Sequence, residues 1–321
     1  MNDSDVAGVA RSRRAFLATA AVAGASSLVA PVLPLRADEQ AAAEPATAAV
    51  TPRIDCHLHC FAGEHDLRFP YHENAPYRPA QAATPEHLLE CMDGAGVASA
   101  IVVHPEPYQD DHRYLQHCLE VGGGRLKGTA LVFADTLGAP DRLRELAGQM
   151  PLVAARIHAY APGRLPPFGS RALHELWRTA SELGLAVQLH FEPRYAPGFE
   201  PLIREFQQTP VIIDHLGRPF QGTPQEHAVV LRWGELPNTL IKLSSIPEPT
   251  SYPHRDIRPV IAELMQAYGA DRMLYGGGFN AAATPESYRA AFDRGASYLD
   301  GFSAEEQAKV LGGNAQRLFF G

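Results

Sequence analysis

The chain has 321 residues, of which 45% are hydrophobic and 20% are charged, so it can bury a full globular core and is not a disordered chain. Its formal net charge is −8, and no basic run follows residue 14, which argues against a nucleic-acid-binding function. Length alone allows one large domain or two smaller ones. A single barrel of roughly 250 residues also fits.

Residues 1–37 have the features of a twin-arginine export signal. Arg13-Arg14 precedes an apolar, alanine-rich stretch that ends near Leu35, and small residues suit cleavage near Ala37. An N-terminal membrane anchor is the alternative, but the glycines and prolines of this stretch make a poor spanning helix. We therefore expect export to the periplasm or cell surface, without stable membrane insertion.

One globular domain is expected to follow this signal. Residues 38–52 are small, polar and proline-containing, which predicts a linker, and the composition is steady over residues 53–321. The four cysteines are either buried free thiols or disulfide partners after export. They are Cys56, Cys60, Cys91 and Cys118.

Eight short apolar runs alternate with segments of helical period, which predicts βα units around a parallel sheet. Eight such strands close a (β/α)8, or TIM, barrel. Thr84, Thr284 and Ser303 are predicted helix N-caps. An open doubly wound sheet is the alternative, but residues 58–64 lack the glycine-rich phosphate loop that would favour it. The runs are 53–57, 98–104, 128–133, 153–158, 186–190, 211–215, 240–243 and 273–276.

Histidines end five of the eight predicted strands, where the active site of such a barrel lies. One histidine in such a position is more often structural than functional. Six are hard to explain by packing, because burying imidazoles costs desolvation free energy. The six are His57, His59, His104, His158, His190 and His215.

The pair His57 and His59 is the sharpest motif, because a spacing of two places both rings on one side of a strand. Imidazole pairs serve as metal ligands or as general acid and base. Asp214 precedes His215 and is therefore expected to point the opposite way, in a structural or supporting role.

Two cations, Arg156 and Lys242, lie within apolar runs. Each is either a buried salt-bridge partner or a clamp for a substrate carboxylate or carbonyl. With the histidines they make the barrel mouth locally positive, so an anionic or carbonyl-rich small molecule is the expected partner. The long proline-rich loop 60–83 is a candidate lid, with His65, Arg68, Tyr71 and Tyr77 as possible substrate contacts.

Residues 53–320 resemble the amidohydrolase-related (amidohydrolase 2) branch of the amidohydrolase superfamily, which includes sugar-acid and pyrone-dicarboxylate lactonases. The resemblance implies a metal-dependent-hydrolase type of TIM barrel and a lactonase-like hydrolase. It is carried by segments 54–59 (IDCHLH), 185–190 (LAVQLH), 211–219 (VIIDHLGRP), 241–244 (IKLS) and 271–276 (DRMLYG).

Roles for eight residues follow from this combination of position and resemblance. The predicted catalytic residues are His57, His59, His190 and His215. The predicted substrate-binding residues are Arg156, His158, Lys242 and His104. The reaction needs either no metal or one divalent ion such as zinc, which His57, His59 and His190 would hold.

The end of the eighth strand departs from the family pattern. Relatives place there an aspartate that activates water or binds the metal, and this chain has Gly278 in that position. Three interpretations stay open: a hydrolase with another base, a carboxy-lyase, or a catalytically silent binding protein. The candidate replacement bases are His104, Glu106, His158 and Glu192.

Overall fold

The computed structural model describes residues 51–160, 164–246 and 256–321. The predicted signal segment 1–37 and nearly all of the predicted linker lie outside the described residues. Among the helices of the described ranges, none has the length and apolarity needed to cross a membrane.

The predicted eight-stranded barrel is confirmed. All strands are parallel, and each pairs with its neighbours in chain order. A side chain links the first strand to the loop that follows the last strand: the Asp55 carboxylate accepts the Gly277 N–H at 2.8 Å. The strands are β1 (Arg53–Leu58), β2 (Val97–Val103), β3 (Leu126–Leu131), β4 (Leu152–Ala159), β5 (Ala186–Phe191), β6 (Val211–Ile213), β7 (Thr239–Leu243) and β8 (Met273–Tyr275).

Helices cover the outside of the barrel, and their starts follow the predicted capping residues. Thr84 accepts the His87 N–H, and Thr284 and Ser303 each form a capping box. The helices are α1 (Pro85–Ala95), α2 (Arg113–Gly122), α3 (Ala139–Gln149), α4 (Arg171–Glu182), α5 (Glu200–Glu205), α6 (Pro224–Arg232), α7 (Arg258–Tyr268), α8 (Pro285–Ser297) and α9 (Ala304–Ala308).

The core has two layers, one between strands and helices and one inside the barrel. The inner layer includes Ile54, Ile101 and Ile212, and the C-terminal residues Phe319 and Phe320 pack against it. The opposite end of the barrel, where the strands end, is left for the site. All four cysteines are buried free thiols.

Candidate active site

A cavity of about 940 Å³ lies at the C-terminal ends of the strands. The four predicted catalytic histidines line it, and their rings pack together: His57 lies 4.4 Å from His215 and 5.1 Å from His59, and His190 lies 5.0 Å from His215, between ring centroids. The structure therefore brings together histidines from three strands, as the positions of the strand ends indicated.

The backbone after β6 leaves the extended conformation to place one of these rings. His215, Leu216 and Arg218 all have positive φ angles, between 55° and 59°. Side chains larger than glycine adopt this conformation at a cost of about 1–3 kcal/mol each, and such strain concentrates at functional sites. The turn lets His215 face the cavity although it follows an inward-pointing residue.

That inward-pointing residue is Asp214: its expected direction was wrong, whereas the expected structural or supporting role agrees with its contacts and with its place outside the cavity lining. Its Oδ2 accepts hydrogen bonds from Arg156 Nε and Gln188 Nε2, both at 2.9 Å. Its Oδ1 lies 3.2 Å from Lys242 Nζ and 3.3 Å from His57 Nδ1. Strand alternation is kept from Ile212 to Asp214, and the positive φ of His215 breaks it.

Arg156 and Lys242 are thus both buried ion-pair partners of one carboxylate. Burial opposes ionisation of Asp214, but the two cations outweigh it and hold the pKa of Asp214 well below its usual range. Arg156 also reaches the cavity wall, whereas Lys242 does not. The salt-bridge interpretation therefore describes both residues, and substrate contact is available to Arg156.

The histidines of the cavity are neutral near pH 7. Burial lowers the pKa of His57, His190 and His215 well below the ordinary value and that of His59 to about 4. Because a carbonyl only accepts, the 2.7 Å contact between His59 Nδ1 and the Val103 oxygen requires a proton on Nδ1. Each ring then offers one donor and one acceptor.

His190 has a defined tautomer as well. Its Nε2 accepts from Arg218 at 2.9 Å, so its proton is on Nδ1. This Nδ1 and His57 Nε2 are buried and have no hydrogen-bond partner in the described part of the chain. Buried polar atoms are rarely left unpaired, so both are candidates for contact with a substrate.

Two predicted substrate-binding histidines do not line the cavity. His104 is fully buried, stacks on His112 at 4.2 Å and bonds through Nε2 to the Gln109 carbonyl. His158 lies behind the wall, packs against His190 at 4.8 Å and donates from Nδ1 to Glu106 Oε1 at 2.9 Å. Both are positioned to support the site from behind rather than to touch a ligand.

The sequence analysis missed Arg218, which lines the cavity and donates to His190. Its signal was its place inside the most diagnostic segment, 211–219, of which only Asp214 and His215 were interpreted. In the loop 60–83, Tyr77 lines the cavity, whereas His65, Arg68 and Tyr71 do not.

The glycine loop after β8 places no side chain in the cavity. Gly277 and Gly278 have φ angles of 126° and 111°, and a Cβ built on Gly278 would lie 2.5 Å from the Ala291 Cβ of α8. Asp55 holds the loop: its second oxygen accepts the Tyr288 hydroxyl at 2.7 Å, and burial raises its pKa to about 7. Asp55 itself does not line the cavity.

A metal does not fit the donor atoms that the structure gathers. Within the described ranges, one group of three comes together, His57, Asp214 and His215, which differs from the predicted set of His57, His59 and His190. The Lys242 ammonium already lies 3.2 Å from Asp214 and 3.4 Å from His57, and Arg156 neutralises Asp214 a second time. A divalent ion would meet two fixed positive charges there.

The barrel, the histidine cluster at its mouth and the unpaired imidazole nitrogens define an amidohydrolase-type enzyme. The Amidohydro_2 amidohydrolase family matches residues 54–321, and the chain belongs to this family. Members of the superfamily often bind a metal ion, and zinc is present in one structure of this fold.

Two curated relatives and one solved structure are similar to the chain. The 4-sulfomuconolactone hydrolase of Rhizobium radiobacter is 28% identical over 232 residues, 69% of this chain and 73% of that protein. The L-fucono-1,5-lactonase of Burkholderia ambifaria is 25% identical over 244 residues, which are 71% of this chain and 80% of that protein. A probable 2-pyrone-4,6-dicarboxylic acid hydrolase of Acinetobacter baumannii, with citric acid bound, shares the fold with a TM-score of 0.66 and 23% sequence identity. The match covers 84% of this chain and 99% of that one.

Proposed function

We propose that the protein is a lactonase that opens the ring of a small lactone carrying an anionic group. The observation that carries this proposal is the set of four neutral imidazoles converging in one cavity. The names of the two curated relatives, both lactone hydrolases, support the reaction class. Neither a carboxy-lyase nor a silent binding barrel is favoured by these relatives.

The imidazoles suit the transition state of ring opening. Water adds to the lactone carbonyl, and negative charge develops on the carbonyl oxygen. The His190 Nδ1–H is a buried donor without a protein partner, so it can bind this oxygen without giving up another hydrogen bond. Donors held in place within a site that excludes water stabilise such charge strongly.

The wall of the cavity favours an anionic substrate. Arg156, Arg218 and Arg294 line it, against the single carboxylate Glu106 among the described lining residues. A guanidinium matches the two oxygens of a carboxylate or sulfonate. Removal of Arg218 should perturb the barrel less than removal of Arg156, because Arg156 also belongs to the buried ion pairs.

The substitution Arg218→Gln tests the anion site. It removes one charge-assisted hydrogen bond, worth about 1.5–3 kcal/mol, so KM for a carboxylated lactone should rise about 10- to 100-fold. KM for an uncharged sugar lactone should stay within about twofold, although kcat can fall for both because His190 loses a donor. Arg194→Gln is the control, since Arg194 pairs with Glu192 outside the cavity.

Activity itself is tested on a panel of carboxylated, sulfonated and neutral lactones. We expect turnover of about 1–10³ s⁻¹ on at least one anionic lactone. The same rate is expected with and without a chelator, because Lys242 and Arg156 supply positive charge where a metal would sit. Tight binding without turnover across the panel would instead favour a binding protein, and release of carbon dioxide would favour a carboxy-lyase.

We also propose that the chain is exported by the twin-arginine route to the periplasm or cell surface. Changing both Arg13 and Arg14 to lysine should keep the precursor in the cytoplasm, because the route reads the arginine pair. Fractionation and immunoblotting measure this. Arg36→Lys, at the far end of the same segment, is the matched control, and unchanged export of the double variant would refute the proposal.

A further inference from the structure

We infer that Glu106 is the carboxylate that activates water in this site. This inference rests on the proposed lactonase function. Its basis is positional: among the cavity-lining residues that the structure describes, Glu106 is the single acid. It lies shortly after the end of the second strand.

The other acidic side chains near the barrel mouth are already bound to other partners. Asp214 is fully buried between Arg156 and Lys242. Asp55 lies behind the glycine loop, where it accepts two backbone N–H groups and a hydroxyl. Glu192, which the sequence left as a candidate, pairs with Arg194 and does not line the cavity.

The backbone fixes where the Glu106 side chain begins. Glu106 opens a short 3₁₀ turn, Glu106–Tyr108, which His104 and Pro105 connect to the end of β2. Pro105 and Pro107 flank Glu106 in the chain, and their rings limit the local φ angles. The carboxylate is therefore presented at the rim by a stiff segment rather than by a mobile loop.

The two oxygens of Glu106 differ in their surroundings. Oε1 accepts the Nδ1–H of His158 at 2.9 Å, while Oε2 accepts no hydrogen bond from the described part of the chain. The side chain is 36% exposed, so Oε2 can meet a water molecule in the cavity. His158 does not line the cavity and is a positioning residue that orients the carboxylate.

The electrostatic surroundings keep this carboxylate ionised. Burial opposes its ionisation, but the His158 hydrogen bond and the charge of Arg156 outweigh burial and hold the pKa of Glu106 below its usual range. The charged or titratable groups that face it are His158 and Arg156 on β4, His59 beyond β1, and Tyr77 in loop 60–83. A base must be unprotonated at working pH, and Glu106 meets this condition.

The resulting step balances without any further reactant. Glu106 takes one proton from water as the water oxygen bonds to the lactone carbonyl carbon. The tetrahedral intermediate then collapses, the ring C–O bond breaks, and the Glu106 carboxylic acid returns its proton to the leaving ring oxygen. The products are a hydroxyl and a carboxylic acid, which releases its proton to solvent.

The first test compares Glu106→Gln with Glu192→Gln on a lactone that the wild-type protein hydrolyses. Glutamine keeps the shape and can still accept from His158, but it cannot take a proton. General-base catalysis contributes typically about 10²–10⁴-fold, so kcat should fall by that factor with KM changed little. Glu192→Gln should leave kcat unchanged, since that residue lies outside the cavity. Full kcat in Glu106→Gln would overturn the inference.

A second pair of measurements separates catalysis from structure. Glu106→Ala should regain part of its kcat when formate is added, because a small carboxylate can occupy the vacated space. In His158→Phe the acid limb of kcat/KM should move to higher pH, because the hydrogen bond that lowers the Glu106 pKa is gone. The inference would be contradicted if formate did not restore kcat in Glu106→Ala, and equally if the acid limb of kcat/KM did not move in His158→Phe. Absence of lactone turnover by the wild-type protein would overturn the proposed function together with this inference.

Discussion

Replacing Asp214 by asparagine is expected to destabilise the folded protein by about 3–5 kcal/mol, because removing one partner of a buried ion pair leaves uncompensated charge in the barrel. Here the substitution leaves two buried cations without a counter-charge, because Arg156 and Lys242 both pair with this carboxylate. All three side chains are nearly inaccessible. Urea unfolding at neutral pH measures the effect. Lactone turnover should also be lost, since Asp214 lies 3.3 Å from His57 Nδ1.

A second substitution distinguishes charge from packing in this cluster. Lys242→Met alone leaves Asp214 paired with Arg156, so it should cost less than Asp214→Asn. The double variant, Asp214→Asn with Lys242→Met, leaves one buried cation without a counter-charge instead of two, so it should be more stable than Asp214→Asn alone. If Asp214→Asn costs less than about 1 kcal/mol, or if the double variant is the least stable, the buried charges are not what the fold depends on.

Local patterns were sufficient to predict the fold. Strands in a parallel barrel are buried on both faces, so each reads as a continuous apolar run, and all eight predicted runs overlap an observed strand. The helix starts at Thr84, Thr284 and Ser303 were equally local, because a cap and its partner are three residues apart. The strand ends were less accurate: β6 ends at Ile213 rather than at His215.

The site was predictable only where side-chain direction follows strand alternation. His57 and His59 share a side as expected, and their rings lie 5.1 Å apart. Asp214 was misjudged because the backbone turns to positive φ at His215, a conformation that nothing in the residue type announces. His104 ends a strand like the others, yet its ring turns away to stack on His112, a contact between residues that no periodicity relates.

The protonation states of the cavity histidines also could not be predicted from the sequence. A histidine base of ordinary pKa would give a rate that rises through roughly pH 6 to 7. Burial lowers the pKa of each cavity histidine, that of His59 to about 4, so their charged forms appear only at lower pH. With the Glu106 pKa also lowered, the acid limb of the rate is expected below pH 6.

Installing a carboxylate after β8 by Gly278→Asp is expected to destabilise the protein without raising lactone hydrolysis. By the family resemblance alone, an aspartate at this position would be expected to activate water or bind a metal ion. The structure argues otherwise, because a Cβ at this position would lie 2.5 Å from Ala291 Cβ, and Gly278 has a φ of 111°. Strain of about 1–3 kcal/mol adds to overpacking of about 1–3 kcal/mol, and the carboxylate is directed at α8.

Two matched variants separate the causes of this loss. Gly277→Asp has similar strain, with a φ of 126°, but a Cβ there meets nothing within 4 Å, so it should be less destabilising than Gly278→Asp. Adding Ala291→Gly to Gly278→Asp removes the clashing methyl group and should recover stability, minus the roughly 0.5–1 kcal/mol that glycine costs in a helix. Thermal unfolding and lactone turnover are measured together. A folded Gly278→Asp protein with raised turnover would show that the loop can re-form around an aspartate, and the proposed direction of this side chain would then be wrong.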